Sequence, residues 1–402
     1  MTGRRYATVA AVLGAVLFLG CCLAVRGGLL DSTQYGDVSY DGNYGHLMSQ
    51  GQWPYRDFFD EYPPLAQPLF LAVELMPGHF APAFKWTMAV FGMGAIGLLV
   101  ATLASVGVSR PRIAVAALTA GIAPIVIGPI SLNTYDLFPA LLTAGAILAY
   151  VRRRERLAYA LLALGVAAKI YPVVLLPIAL IESWERGGRE LVRRGIIWFL
   201  GVLFLVHLPF AIAGPGGLRF SYWVQFKRGL EAESLGGAIL LLLDRVGLRT
   251  AALRDEAPGS RDVVGTLATA VGALSDVVLV LAVLLVAWLY LRRRRSGLVA
   301  AAAAITAFVA FNKVFSPQYA YWLVPIVPAA GYLASGLLLV VLLLTHGVWD
   351  HFLIGHHTRE EWGRSLAWWV FSRDLVVVAL FGLLVGRLAL RSREGSRSQT
   401  GR

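Results

Sequence analysis

The sequence predicts an all-α polytopic membrane protein, with about twelve transmembrane helices and interfacial helices in its first outer loop. Three observations carry that expectation. The chain is 57% hydrophobic and only 15% charged, whereas soluble domains lie nearer a quarter charged. Apolar runs such as Val9–Val25, Val277–Leu291 and Val376–Leu390 reach or approach the length that crosses a bilayer core. The cations fall in short blocks between such runs: Arg4–Arg5, Arg110–Arg112, Arg152–Arg156, Arg186–Arg194, Arg292–Arg295 and the tail after Arg391. That is the positive-inside pattern, and it accounts for a net charge of +12 with membrane lipid as partner and no nucleic acid.

The elements follow in order with the N-terminus inside. Residues 7–25 form the first segment, an uncleaved anchor, since no small-residue cleavage site follows before Arg26. Cys21 and Cys22, adjacent within it, suggest neither a disulfide nor a metal site. An extracytoplasmic loop at 26–81 carries six carboxylates between Asp31 and Pro68, together with Tyr, Trp and Phe in quantity. Aromatic rings sit well at a membrane surface, so the loop is expected to be ordered there. Residues 64–76 are short and proline-rich and should dip into the outer interface.

Segments at 82–106, 113–130 and 135–150 come next, with the tip SLNTYD between the last two. Residues 157–182 are read as two short helices broken at AAKIYP. Pro172 removes a helix donor and restricts Tyr171, and a single helix would invert every later arginine block. A segment at 195–213 leads to an outer loop, and 264–291 returns to four arginines. Residues 298–331 repeat the broken form at FNKVFSPQY, with a second apolar run after it. A turn at Ala334-Ser335-Gly336 precedes the next segment, and a solvated loop holding His346, His351, His356 and His357 precedes the last. Gly214–Gly217 and Gly236–Gly237 read as turns. The whole of 1–402 is one transmembrane domain with a basic cytoplasmic tail at 391–402.

Four of these elements offer polar groups to one outer cavity: the acidic loop, SLNTYD (Asn133, Tyr135, Asp136), AAKIYP (Lys169, Tyr171) and FNKVFSPQY (Lys313, Gln318). Non-helical backbone and charge at membrane depth are tolerated where protein or a water-filled cavity satisfies them. Lysine can hold a lipid phosphate, and a carboxylate can act as general base on an incoming hydroxyl. The plain alternative is that both lysines snorkel to the surface from short helices.

The motifs GDVSYDGNYGHLMSQGQWPYRDFFDEYPPLAQPLF, NTYDLFPALLTA, GVAAKIYPVVLLP, KRGLEAES and NKVFSPQYAYWLVP occur in that order. Together they make the chain resemble the GT-C superfamily, and more closely glycosyltransferase family 87, the polyprenyl-phosphate-mannose-dependent mannosyltransferases. The resemblance covers about residues 7–390. It implies a GT-C-like architecture, a polyprenyl-phosphate sugar donor, a glycolipid or glycan acceptor, and inverting transfer on the extracytoplasmic face. The residues themselves suggest no cofactor and no metal site. The resemblance also implies that Asp37 is the catalytic base, with Asp41, Asp60, Glu61 and Tyr62 as further acid/base or acceptor-binding positions. Donor phosphate and sugar would meet Lys169, Tyr171, Lys313, Gln318, Arg228, Asn133 and Asp136. Where related enzymes place a His on the late helix pair, this chain has Gln318 and Tyr319. The rival reading is a transporter or flippase for a lipid-linked sugar, which needs the same cations but no positioned base.

Overall fold

The computed structural model describes residues 3–26, 36–248, 252–257, 260–293, 296–353 and 359–390. Asp31, Arg294–Arg295, His356, His357 and the 391–402 tail lie outside them.

Helix α1 (Gly3–Arg26) leads to the first loop, which contains α2 (Val38–Ser49) and α3 (Ala66–Glu74). Then come α4 (Phe80–Ser105), α5 (Arg110–Ile127), the single turn α6 (Ile130–Asn133), α7 (Leu137–Val151) and α8 (Glu155–Ala168). Helix α9 (Leu176–Ala213) is kinked at Gly187 and at Gly188, whose φ is +59°. The next stretch holds α10 (Pro215–Lys227), β1 (Leu230–Glu231), α11 (Leu235–Arg245), β2 (Ala252–Ala257) and β3 (Ser260–Val264). Helices α12 (Thr266–Arg293), α13 (Gly297–Phe311), α14 (Tyr332–Leu353) and α15 (Arg359–Ala389) complete the chain.

Among the described residues, six helical stretches are long and apolar enough to cross a membrane: 3–26, 80–105, 110–127, 171–213, 266–293 and 367–389. Small residues set their packing, as expected where lipid gives helices no hydrophobic reason to associate. A Cβ on Gly92 would strike the Phe18 ring, and one on Gly14 would press on Ile96 and Ala117. Helix α13 lies at the centre, with Ala300–Ala304 buried in succession.

Side-chain contacts gather the arginine blocks at one end. Tyr6 donates to the Arg110 carbonyl, Arg152 to Ser105, and Arg186 to the Tyr150 carbonyl. Arg112 and Arg387 reach the neighbouring carbonyls of Ala329 and Ala330. The first loop lies at the opposite end, joined by main-chain bonds from Asp37 to Asn133 (2.8 Å) and from Leu65 to Ala167 (2.9 Å).

Both predicted breaks are present. Helix α8 stops at Ala168, Lys169 is extended (φ −160°, ψ 137°), and a 3-10 turn at Tyr171–Leu175 starts the next limb. Helix α13 stops at Phe311. Four expectations are corrected. The run after FNKVFSPQY forms 3-10 turns at Pro317–Leu323 and Val327–Ala330 rather than an α-helix. Pro317, Pro325 and Pro328 remove the donors that a longer helix needs. The reversal before α14 falls at Gly331 (φ +115°), and 334–336 lie inside that helix. His346 is likewise helical, its ring bonded to the Val126 carbonyl. Finally, the fold is not purely helical: β1, β3 and β2 form a small antiparallel sheet.

Candidate active site

The site grows from three interruptions of helix. Gly36 (φ +131°) brings the chain against Asn133 so closely that a Cβ there would collide with that residue. Asp37 then occupies the N-cap position of α2 and Asp41 its first turn, one helical turn further on. Asp37 is half-buried and its carboxyl is hydrogen-bonded by the Tyr62 side chain. Burial pushes it up to about 6; Lys169 opposes that rise, while Asp136 and Glu61 reinforce it. Asp41 is fully buried and neither of its carboxyl oxygens has a hydrogen-bond partner. Burial, then the charges of Asp37 and Asp60, hold it well above the usual carboxylate range.

Asp60 and Tyr62 close the loop's far end. The Tyr62 N–H donates to Asp60 Oδ1 at 2.7 Å, while Oδ2 is buried without a partner. Burial raises Asp60 to about 7 against that hydrogen bond. Glu61 faces α10, where Gln225 Nε2 lies 3.3 Å from both its carbonyl and its carboxylate. The close approach of α10 rests on glycine. A Cβ at Gly214 or Gly217 would run into the Tyr55 main chain. This stretch is therefore a packing surface and the first turn of a helix, not simply a loop turn.

At the breaks, Lys169 Nζ donates to Asp136 Oδ1 at 2.8 Å, and Trp322 Nε1 donates to the same oxygen at 2.6 Å. Asp136 Oδ2 has no partner. The ammonium lies 4.6 Å from the Tyr135 ring centroid, 5.6 Å from Trp322, 5.7 Å from Tyr319 and 6.0 Å from Tyr62. Such aromatic walls stabilise a cation in a dry site. Trp322 is itself sandwiched, with Tyr171 at 4.1 Å on one face and Tyr319 at 3.9 Å on the other. The Tyr171 hydroxyl meets Thr143 Oγ1 at 3.1 Å.

The two lysines differ in their partners. Lys313 Nζ bonds Asp276 Oδ2 (3.0 Å) on α12 and the Phe226 carbonyl (3.2 Å). Arg228, instead, interacts electrostatically with both Glu61 and Tyr319. It is held by Glu231, whose other oxygen accepts the Phe315 N–H at 2.7 Å. The structure thus brings together Asp37, Asp41, Asp60, Glu61, Tyr62, Asn133, Asp136, Lys169, Tyr171 and Arg228, while the Lys313 ammonium turns to α12. Gln318 is half-buried beside Tyr319 in the same 3-10 turn.

Sequence reasoning missed Trp322 and Arg373. A buried indole needs an acceptor for its N–H, so a Trp five residues beyond Pro317 was a usable signal. Arg373 had none, because the Arg-Asp pair at 373–374 reads as an interruption in an apolar run. Both members are fully buried, and Arg373 bonds Asp374 Oδ1 (2.9 Å) and the Glu233 carbonyl and lies over the Phe315 ring at 3.7 Å. It ties α15 to the stretches around Glu233 and Phe315. Among the described residues no group of His, Cys, Asp and Glu has the arrangement of a metal site.

The family model described as glycosyltransferase family 87 matches residues 59–317. The match takes in Asp60, Glu61, Asp136, Lys169 and Arg228 and begins after Asp37 and Asp41. Two solved structures are similar. ArnT from Cupriavidus metallidurans bound to undecaprenyl phosphate has a TM-score of 0.49 at 15% identity, over 93% of this chain and 76% of that one. The same protein in the apo state has a TM-score of 0.48 at 16% identity, over 94% and 77%. No curated protein matches. With more than half of its length matched by that one model, the chain belongs to glycosyltransferase family 87.

Proposed function

We propose that the protein transfers a sugar, mannose by family resemblance, from a polyprenyl-phosphate donor to a glycolipid or glycan acceptor, with inversion, on the extracytoplasmic side of the membrane. The observation that carries this reading is the crowding of four loop carboxyls, Asp37, Asp41, Asp60 and Glu61, against the Lys169–Asp136 pair. Carboxyls pressed together and desolvated divide into groups that hold a proton and groups that accept one. Asp37, at about 6, is ionised at neutral pH and matched to a general base. Asp41, which burial raises well above the usual carboxylate range, can in its protonated form donate to an acceptor oxygen.

In this reading Asp37 takes the proton of an acceptor hydroxyl, and that oxygen bonds to the anomeric carbon from the face opposite the phosphate. The bond from that carbon to the phosphate oxygen breaks, and the polyprenyl phosphate leaves with the electron pair. Lys169 gives one N–H to Asp136 and retains donors for a phosphate oxygen. Together with Arg228 it offsets the developing negative charge. The stacked faces of Tyr171, Trp322 and Tyr319 form a rigid wall against which lipid and sugar can lie. Family membership favours this enzyme over the flippase alternative, which requires no base.

The direct test is sugar transfer from decaprenyl-phosphate mannose by the purified protein in liposomes, with envelope lipid extract as acceptor. Product formation by the wild type and its loss in Asp37→Asn, with donor still retained, is the expected result. Transfer by Asp37→Asn at the wild-type rate would sink the assignment.

A further inference from the structure

At the opposite end of α8 from Lys169, a cavity of about 410 Å³ opens between the turn after α7 and the second limb of α9. Fourteen residues of helix at 1.5 Å each place it about 20 Å from the Lys169 ammonium, so it is separate from the site above. Arg153, Arg154, Arg156 and Arg194 line it, with Glu155 as its single acid and Leu157, Leu191 and Trp198 as its apolar wall.

The charges there are unbalanced. Glu155 is engaged by Arg186 at 3.6 Å, and Arg194 by Glu190 at 2.6 Å. The guanidiniums of Arg153, Arg154 and Arg156 have no side-chain partner among the described residues. Arg153 is held in place by the fold, at φ +57° in the left-handed region, with its N–H on the Tyr150 carbonyl at 3.0 Å. Three guanidiniums without acceptors, grouped at one mouth, match the oxygens of a phosphate.

The apolar side of the cavity does not end at Trp198. Beyond it α9 presents Ile197, Leu200, Phe204 and Leu205, all more than half exposed, along a limb that the rest of the bundle leaves uncovered. A free phosphate has no use for such a wall, whereas an acyl chain does. The cavity sits at the arginine-rich end, which the positive-inside rule assigns to the cytoplasm. We propose that it binds the head group of an anionic phospholipid of the cytoplasmic leaflet, phosphate on Arg153, Arg154 and Arg156, chain along Leu191 and Trp198.

Native mass spectrometry of the full chain in detergent tests this with dioleoyl phosphatidylglycerol against dioleoyl phosphatidylcholine. Wild type should retain the anionic lipid preferentially. A guanidinium near an anionic lipid is worth about fivefold, so Arg154→Gln/Arg156→Gln should lower phosphatidylglycerol retention about tenfold or more. Arg154→Lys/Arg156→Lys should keep most of it. Arg189→Gln/Arg193→Gln removes the same charge outside the cavity and should change retention less than about twofold. Equal retention of the two lipids by wild type, or equal losses in the two Gln pairs, would overturn the proposal. Displacement of the lipid by millimolar inorganic phosphate would overturn it too, since the site would then recognise a free anion.

Discussion

Lys169 Nζ and Asp136 Oδ1 stand 2.8 Å apart, one at the end of α8 and the other at the start of α7, and both side chains are nearly closed off from solvent. The same Asp136 oxygen takes the Trp322 indole N–H from a third element. One carboxylate oxygen therefore fixes the relative positions of three helix interruptions. Breaking a buried pair from one side leaves an uncompensated charge and costs about 3–5 kcal/mol. Lys169→Met and Asp136→Leu should each lower the unfolding midpoint in detergent. The double variant should recover most of that stability and none of the transfer activity. Recovery of activity would mean that the pair only holds the fold.

Asp37→Asn keeps shape and hydrogen-bonding capacity while removing the basic oxygen. Loss of a general base costs roughly 10² to 10⁴ in rate. Asp41→Asn should lose less, because burial and the charges of Asp37 and Asp60 already disfavour ionisation of Asp41 in the folded protein. Since ionised Asp37 is the active form, kcat/KM of wild type should rise with pH through about 6 and level above it. An active Asp37→Asn beside an inactive Asp60→Asn or Glu61→Gln would move the base to the other end of the loop.

The cations should separate. Lys313 is committed to Asp276 and the Phe226 carbonyl, so Lys313→Met should change donor KM by less than about threefold on the scale of exposed pairs. Arg228→Gln should weaken donor use about tenfold or more, as expected for a lost charge-assisted contact. The reverse ranking would restore the lysine to the donor site.

Stability should depend on pH in a stated sense. Asp37 and Asp60 titrate near 6 and 7 in the folded protein, and Asp41 is raised as well. An unfolded Asp titrates near about 4. Between those values the folded state holds the extra protons, so stability falls as pH rises through that window. The melting temperature should be higher at pH 5 than at pH 7.5, and Asp60→Asn should narrow the gap. An unchanged gap would place the titrating groups elsewhere.

Orientation can be read with single cysteines in a Cys21→Ala/Cys22→Ala background. A cysteine at Ser49 should react with an impermeant thiol reagent added to intact cells, and one at Ser296 should not. Labelling at Ser296 would reverse the sidedness on which the lipid proposal stands.

Much of the site could be read from residue order because the breaks announce themselves. Lys169 followed by Pro172 cannot be an ordinary mid-membrane helix, and an acidic loop rich in rings has to rest on something. What could not be read was partnership across the fold. Lys169 and Lys313 stand in similar local sequence, yet Lys313 bonds Asp276, 37 residues before it and on another helix, a partner that local sequence does not announce. Register failed for a related reason. Gly331 and Gly336 are equivalent to a sequence reader, and only the left-handed backbone at Gly331 makes it the corner. The sheet was missed in part because β1 is only two residues long.

The early stops of α8 and α13 have an electrostatic side. Each helix ends beside a lysine, Lys169 at the C-cap of one and Lys313 one residue past that of the other. A helix C-terminus carries roughly half a negative charge, worth about 0.3–1 kcal/mol to an adjacent cation and more where partly buried. Had the bundle used continuous helices, those peptide dipoles would have spent their ends in the head groups, far from any buried charge. By stopping short, the two helices bring that negative potential into the protein, beside Lys169 and Lys313.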